Sequence, residues 1–505
     1  MTLVSAASGL RRAWRNFEHG WHRITVAPSE PLEHLGAIAG LLLLLLLATG
    51  SYLFVVFDTS VSGAWQSIDQ LARTGTFPGG WLRSLHRYAA DGLLLVTLLH
   101  LLREFMLGRY THFRRATWWT GVPLLLLVYL SAIGGFWLNW DQLGQYSALA
   151  SAELIDALPL LGATLTRNFV AVHAVSDRLF SLLIFIHLGV PLLLLFGLWF
   201  HLQRIHLPQV LPPRALTVGV IATLGLLAAA APIASQAPAD LARVPTALHY
   251  DWILLHLHPL AEAFSPATVW LLIATVLLVL LLLPLRHGVV APVAVVDADF
   301  CNGCRRCVDD CPYSAITLVA HPNAKAGRQL AVVAASRCAG CGICAGACPS
   351  AMPFRRVATL ATGIDLPQRR IGALRQRLRQ ALVPGSHKIV VFGCDHGAAV
   401  AALTAADVVS FSLLCSAQLP PSFIDYALRI GALGVVISSC TEGACEFRLG
   451  ARWTSQRLGA TREPRLRTHG PAPHYQLVFA DGGDEPALVA AIAGLRQRAT
   501  MRALP

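Results

Sequence analysis

The first 300 residues of this 505-residue chain contain no cysteine, so a disulfide framework is excluded from more than half of it. After position 285 no apolar run is long enough to cross a bilayer, which takes about 20 residues. No G-x-G-x-x-G follows a predicted strand, and the Gly482-Gly483 pair is no dinucleotide loop. A flavin or nicotinamide fingerprint is therefore missing. No repeat of solenoid period is present. The first 33 residues carry Arg11, Arg12, Arg15 and Arg23 around Trp14 and Trp21 without an apolar stretch of the secretory type. A cleaved signal peptide is not expected there, and the segment reads as a cytoplasmic amphipathic leader.

What is present is uneven. Apolar runs crowd the first 285 positions and predict six spans, 34–57, 82–107, 118–138, 173–200, 215–233 and 267–285. With the leader inside, the inner loops hold Arg103, Arg109, Arg114, Arg115, Arg204, Arg214 and Arg286, and the outer loops mainly Arg73, Arg167 and Arg243. That is the positive-inside bias. It accounts for much of the net charge of +12, so no nucleic-acid function is read from it. All twelve cysteines lie between Cys301 and Cys445, in spacings that suit metal ligation in a reducing compartment. Arginine bias and thiol chemistry both place the tail in the cytoplasm.

The membrane part carries histidines at one repeated spacing. His86 and His100 lie in the second span, and His173 and His187 at the start and middle of the fourth, fourteen residues apart in each case. Fourteen residues are close to four helical turns, about 21 Å along the axis. Each pair thus shares a face, and His86 is expected opposite His173 and His100 opposite His187, with one haem iron held between each pair. Histidines hydrogen-bonded inside a bundle are the alternative for any single one of them. Gly36 and Gly50 in span one and Gly121 and Gly135 in span three repeat the spacing, and a missing side chain would let a flat macrocycle approach the backbone.

These features, with LRSLH (82–86), HLLR (100–103), LGRY (107–110) and GGFWLNWDQ (134–142), resemble the cytochrome b of quinol:cytochrome c oxidoreductases and its chloroplast relatives. The likeness implies a four-helix bundle over 34–210 holding two b haems, with Arg83 and Arg103 pairing with haem propionates. It extends more loosely over 211–285. In TRNFVAVH (166–173) the arginine stands one residue further from the histidine than in the family, so Arg167 is not carried over. HYDWILLHLHP (249–259) looks like a worn Pro-Glu-Trp-Tyr quinol motif, which would put Asp251 at the acid and Trp252 at the tryptophan. An outer loop with an interfacial helix is the other reading of that segment.

In the tail, Cys301, Cys304, Cys307 and Cys311 precede Pro312, and Cys338, Cys341, Cys344 and Cys348 precede Pro349. This is the bacterial two-cluster ferredoxin pattern, in which the fourth cysteine of each run serves the other cluster. Cys301, Cys304, Cys307 and Cys348 are assigned to one 4Fe-4S cluster, and Cys338, Cys341, Cys344 and Cys311 to the other. Two complete runs argue against a structural zinc module.

Four further cysteines, Cys394, Cys415, Cys440 and Cys445, fall at or just past predicted strand ends. Loops converge at one edge of a parallel sheet, although buried free thiols are an open alternative. KIVVFGC, LLCSAQLPPSFIDYALRIGALGVVISSC and TEGAC resemble the delta subunit of methyl-viologen-reducing hydrogenases. That likeness implies a 2Fe-2S cluster passing electrons to a heterodisulfide-reductase-type flavoprotein. Gly393 and Gly397 stand where the family's first motif has further cysteines.

The expected fold is multidomain: an α-helical transmembrane bundle of about six helices, a ferredoxin-like α+β module and a small α/β domain. The segments are a leader (1–33), the di-haem bundle (34–210), two further membrane helices (211–285), a two-cluster module (297–356), a basic helical linker (357–386) and a 2Fe-2S domain (387–505). The expected function is a quinone-linked oxidoreductase subunit, multi-pass in a bacterial cytoplasmic membrane and part of a larger complex or oligomer. It would connect quinone, through two b haems and three clusters, to a cytoplasmic flavoprotein, hydrogenase or dehydrogenase. A pure relay and membrane anchor without a quinone site is the rival. A bifurcating quinol oxidase is a second, but the chain has no Rieske-type cysteine-histidine motif.

Overall fold

A computed structural model describes residues 2–25, 30–73, 78–158, 175–245, 247–285, 292–323, 327–383, 385–467 and 474–502. The chain divides into two units, Met1–Gln203 with Pro208–His287 and Arg204–Leu207 with Gly288–Pro505.

The first unit is helical. Among the described residues its helices are α1 Thr2–Thr25, α2 Leu35–Val56, α3 Gly63–Arg73, α4 Gly79–Met106, α5 Arg115–Asn139, α6 Gln142–Asp156, α7 Asp177–Leu202, α8 Arg214–Ala230, α9 Leu257–Phe264 and α10 Pro266–Leu282. Among the described residues four stretches, Pro31–Val56, His112–Asn139, Asp177–Leu202 and Pro266–Leu285, are long and apolar enough to cross a membrane. Helix α4 has the length, 28 residues, but carries charged side chains, and α8 has 17 residues. Phe185 and Leu192 on α7 are 75% and 63% exposed, and Leu271 on α10 is 69% exposed. Apolar surface of that extent needs lipid around it.

Two local features place the chain around the bundle. Helix α5 ends where Trp140 turns left-handed (φ 45°), and Asp141 then caps α6 by accepting the Gly144 N–H at 2.9 Å. Asp141 is buried and also accepts from Asn139 Nδ2 at 2.6 Å and the Gln236 N–H at 3.0 Å. The GGFWLNWDQ segment is thus a hub that ties the α5–α6 turn to the loop after α8.

The second feature is the start of α7. Ser176, in extended backbone (φ −143°, ψ 166°), stands at the N-cap, and Asp177 occupies the first turn, where a negative charge suits the helix dipole. Helix α7 thus begins at Asp177, and the opening residues 173–174 of the span expected at 173–200 lie outside the described residues. His173 and Arg167 lie outside the described residues, whereas the helix runs on to Leu202 and includes His201.

The second unit opens with strand β1 (Val295–Val296), which pairs antiparallel with β4 (Ile364–Asp365), and a hairpin of β2 (Ile316–Ala320) and β3 (Gln329–Val333). The five-residue helices α11 (Arg306–Asp310) and α12 (Ile343–Ala347) lie within the two cysteine runs. Helix α13 (Ile371–Ala381) leads into a parallel sheet of β5 (Lys388–Cys394), β6 (Val408–Leu413), β7 (Ala432–Ser439) and β8 (Tyr475–Phe479), ordered β6-β5-β7-β8. Helices α14 (Ser422–Arg429), α15 (Gly450–Leu458) and α16 (Glu485–Arg502) complete it.

Val390, Val391, Phe392, Val435, Val436 and Ile437 are fully buried, as continuous apolar runs in a parallel sheet covered on both faces must be. One face packs on Leu488, Ile492 and Leu495 of α16. The other belongs to a single core that runs from Ala294 through the cysteine-rich module and α13 to Leu466. The basic stretch thus contributes Ile371, Leu374 and Leu378 to that core, with Arg375 buried as well and Arg377 and Arg379 exposed.

Candidate metal centres

Helix α4 carries His86 and His100, and α7 carries His187 and His201, fourteen residues apart in both. His86 and His187 lie close enough to interact electrostatically, and so do His100 and His201. This corrects the expected pairing: His187 stands at the level of His86, and the partner of His100 is His201. Both 173–187 and 187–201 satisfy the spacing, and the nearness of His187 to His86 and of His201 to His100 distinguishes them.

Each ring backs onto one of the four expected glycines. A Cβ at Gly50 would stand 3.1 Å from His86 Cε1, and one at Gly135 3.2 Å from His187 Cε1. At the other level, a Cβ at Gly121 would stand 3.2 Å from His201 Cε1, and one at Gly36 3.5 Å from His100 Cε1. The room left by these glycines is taken by imidazole rings, which press against the neighbouring helix.

Three of the rings are also turned by hydrogen bonds. Thr49 Oγ1 donates to Leu45 O at 2.8 Å and so accepts from His86 Nδ1 at 2.9 Å. Thr120 Oγ1 donates to Ala116 O at 3.0 Å and accepts from His201 Nδ1 at 3.1 Å. His187 Nδ1 donates to Ser131 O at 3.1 Å. With the proton on Nδ1, the lone pair is on Nε2, the arrangement by which a second contact orients a metal-binding histidine. Glycine backing and a fixed tautomer fit a bis-histidine haem. A Gly135→Leu substitution is expected to displace His187 and lower the haem content by about half, read by haem quantitation, with the His100 and His201 level retained.

The two arginines expected at propionates are both buried. Arg83 donates to Ile68 O at 3.3 Å, Asn139 Oδ1 at 3.3 Å and Ser235 Oγ at 2.8 Å. Arg103 holds the Glu18 carboxylate of α1 at 2.6 Å, and Trp14 Nε1 donates to the same carboxylate at 2.7 Å.

Asp251 accepts the backbone N–H groups of Ile253 at 2.9 Å and Leu254 at 2.8 Å. Its carboxylate forms an ion pair with Arg87, the residue after His86. Arg87 also reaches Asp91 at 3.3 Å and lies 4.2 Å from the Phe136 ring centroid. Sequence reading missed Arg87, because its partner is distant in the chain and no motif links them.

In the tail, one cavity is lined by Cys301, Cys304, Cys307 and Cys348, with Leu318 and Ala331. Burial pushes the Cys307 thiol up to about 12, and the neighbouring thiols of Cys304, Cys348 and Cys301 add to the rise. Cys344 is likewise driven up by burial and by Cys341, Cys338 and Cys311, with Cys307 adding least. The cysteines are thus grouped as the expected crossover has them, the fourth of each run with the first three of the other. Ala315 N–H donates to Cys311 Sγ at 3.3 Å, a contact of the kind that tunes cluster potentials.

Cys394 ends β5, Cys415 lies two residues past β6, Cys440 directly follows β7, and Cys445 is in the loop after it. All four are buried. The Cys415 and Cys440 sulfurs neighbour Cys394 and lower its thiol from the ordinary range. Cys440 acts on Cys445 in the same way. Among the described residues no three His, Cys, Asp or Glu side chains are gathered tightly enough for one bare metal ion. Four buried sulfurs at one sheet edge are a donor set suited to an iron-sulfur group.

Comparison with known proteins matches three successive parts of the chain. A family described as cytochrome b/b6/petB matches residues 30–208, a 4Fe-4S dicluster domain 300–352, and the methyl-viologen-reducing hydrogenase delta subunit 389–474. The chain is 28% identical to cytochrome b of Rhodospirillum rubrum over 179 residues, 34% of this chain and 43% of that protein. It is 31% identical to cytochrome b of Marchantia polymorpha over 176 residues, 34% of this chain and 42% of that protein. The chain therefore spans less than half the length of these relatives. It is 32% identical to cytochrome b6 of Prochlorothrix hollandica over 157 residues, 30% of this chain and 70% of that protein. Among solved structures, one titled Hyperthermophilic respiratory Complex III aligns with a TM-score of 0.41 and 20% identity, covering 50% of this chain and 74% of that one.

Proposed function

Since the chain belongs to the cytochrome b/b6 family through residues 30–208 and carries a 4Fe-4S dicluster domain and a hydrogenase delta domain behind it, we propose that it connects the quinone pool to a cytoplasmic oxidoreductase. It is an integral membrane electron-transfer protein. In this reading His86 and His187 hold one b haem and His100 and His201 a second. Arg83 and Arg103, each three residues from a histidine on α4, would pair with the haem carboxylates. The eight cysteines of the two runs hold two 4Fe-4S clusters, and Cys394, Cys415, Cys440 and Cys445 hold a 2Fe-2S cluster. These groups supply one-electron chemistry when bound. The protein supplies their order along the chain, their burial and the protons.

The observation that carries the quinone site is the Asp251–Arg87 ion pair. It ties the HYDWILLHLHP segment to the helix position next to His86, at the level that arginine bias puts near the outer face. Reduction of a quinone takes two electrons and two protons, and oxidation of the quinol releases them. Asp251 is the carboxylate placed to exchange one of those protons. Asp251→Asn keeps an oxygen for the Ile253 and Leu254 N–H groups and removes the proton acceptor. Turnover of a quinol analogue by the purified variant, with both haems retained, is expected to fall on the order of a hundredfold, the lower range for general acid-base catalysis. Unchanged turnover would remove Asp251 from the reaction. No haem reduction by quinol in the unaltered chain would leave the relay and membrane-anchor reading in its place.

The partner is a bacterial cytoplasmic flavoprotein, hydrogenase or dehydrogenase subunit, because the chain carries no dinucleotide fingerprint of its own and its final domain matches a hydrogenase delta subunit. Co-purification from detergent-solubilised membranes tests this directly.

A further inference from the structure

Arg457 of α15 is 1% exposed, and its guanidinium touches three segments, each beside a cysteine ligand. It pairs with the carboxylate of Asp310, the residue before Cys311. Its Nη2 donates to Ile343 O, the residue before Cys344, at 3.3 Å, and its Nη1 to Ala417 O, two residues past Cys415, at 2.7 Å. Its buried Nε has no hydrogen-bond partner among the described residues.

The same segments approach backbone to backbone. A Cβ on Gly346 of α12 would stand 2.1 Å from Ala417 O, a distance no side chain can meet. Asp310 is held in turn by Arg462 Nε at 2.8 Å, and its carbonyl accepts from Trp453 Nε1 at 3.1 Å. The Arg462 guanidinium lies 3.4 Å from the Trp453 ring centroid. Two guanidinium groups against one carboxylate leave a net charge of one positive unit, with Arg457 and Asp310 buried and Arg462 partly exposed.

We propose that Arg457 is a positioning residue for electron transfer between the 4Fe-4S site on Cys311, Cys338, Cys341 and Cys344 and the site on Cys394, Cys415, Cys440 and Cys445. It fixes the approach of the two sites and, as a buried cation beside both, raises the reduction potential of each. The inference rests on the reading that both sites hold iron-sulfur clusters. One electron leaves one site and enters the other, and no bond is made or broken. An added electron is negative charge, and in a weakly screened interior a fixed cation favours it strongly. A residue whose part was packing alone would leave the potentials where they are.

The test uses the full chain in detergent with Arg457→Met, Arg457→Lys and Asp310→Asn. Iron and labile sulfide are counted, and redox titration is followed by electron paramagnetic resonance. At a fixed potential, Arg457→Met is expected to lower the reduced-to-oxidised ratio of both clusters about tenfold, which for a one-electron couple is about 59 mV. Asp310→Asn is expected to move the ratio the other way, and Arg457→Lys to leave it near that of the unaltered chain. If Arg457→Met loses iron, the rise in Asp310→Asn against the unmoved ratio of Arg457→Lys carries the test. Unchanged potentials, shifts of one sign in Arg457→Met and Asp310→Asn, or loss of iron from all three variants would overturn the proposal. An unaltered chain with no resonance beyond those of two 4Fe-4S clusters would instead sink the reading beneath it, before any variant is made.

Discussion

Replacing His187 by alanine removes the same haem as replacing His86, and replacing His201 removes the same haem as replacing His100. Each single substitution is expected to halve the haem content, and the two spectra within a level to be superimposable. The reason is geometric. An iron held between two imidazoles loses its site when either is gone, and the levels are separated by about 21 Å of helix, too far for one ring to serve the other site. The glycines make the same division, Gly50 and Gly135 at one level and Gly36 and Gly121 at the other. Reduced-minus-oxidised spectra and haem quantitation on the four single variants and on His173→Ala check it. His173→Ala should retain both haems. Loss of a haem from that variant, or loss of one common haem by His86→Ala and His100→Ala, would refute the assignment.

The second large effect is expected at the sheet edge. Cys440→Ser should cost about two of about twelve iron atoms, two counted in the haems and ten in three clusters, and erase one paramagnetic signal while both 4Fe-4S signals persist. Cys440 sits between Cys394 and Cys445 in the run of sulfur contacts, so its removal opens the middle of the donor set. The two cubane sites draw none of their eight thiolates from it. An unchanged spectrum would return the four residues to buried thiols. Loss of all cluster signals would point to collapse of the shared core.

How far these sites could be read from sequence depends on how local their signals are. The two ferredoxin runs were legible because their ligands are packed into short segments with a proline behind each, and the cavity formed by Cys301, Cys304, Cys307 and Cys348 keeps the expected crossover. The sheet-edge cysteines were legible as a pattern of strand ends. The facing of the histidines was only partly legible. The fourteen-residue period recurs on both helices, but a period does not state its phase, and three histidines in a row satisfy it. Ser176-Asp177 ahead of the apolar run was the available signal for phase, as a helix start of ordinary type. The Arg87–Asp251 and Arg457–Asp310 pairs had no such signal. Their partners are brought together only by tertiary packing, and in sequence each arginine looks like another basic residue in an arginine-rich protein.

The single core from Ala294 to Leu466 has a consequence for the life of the protein under iron shortage. Modules joined by a flexible tether can lose cofactors one at a time and remain folded separately. Here α12 and the turn bearing Cys415 are in backbone contact, and the apolar interior does not divide between them. A region of that kind opens as one cooperative unit. Starved of metal, the cell should therefore hold tails that are either fully loaded or open to proteases along their whole length, with few intermediates. Limited proteolysis of chain isolated from iron-limited cultures would show this as two populations, one resistant and one degraded. A ladder of half-trimmed tails would mean that the two modules yield separately after all.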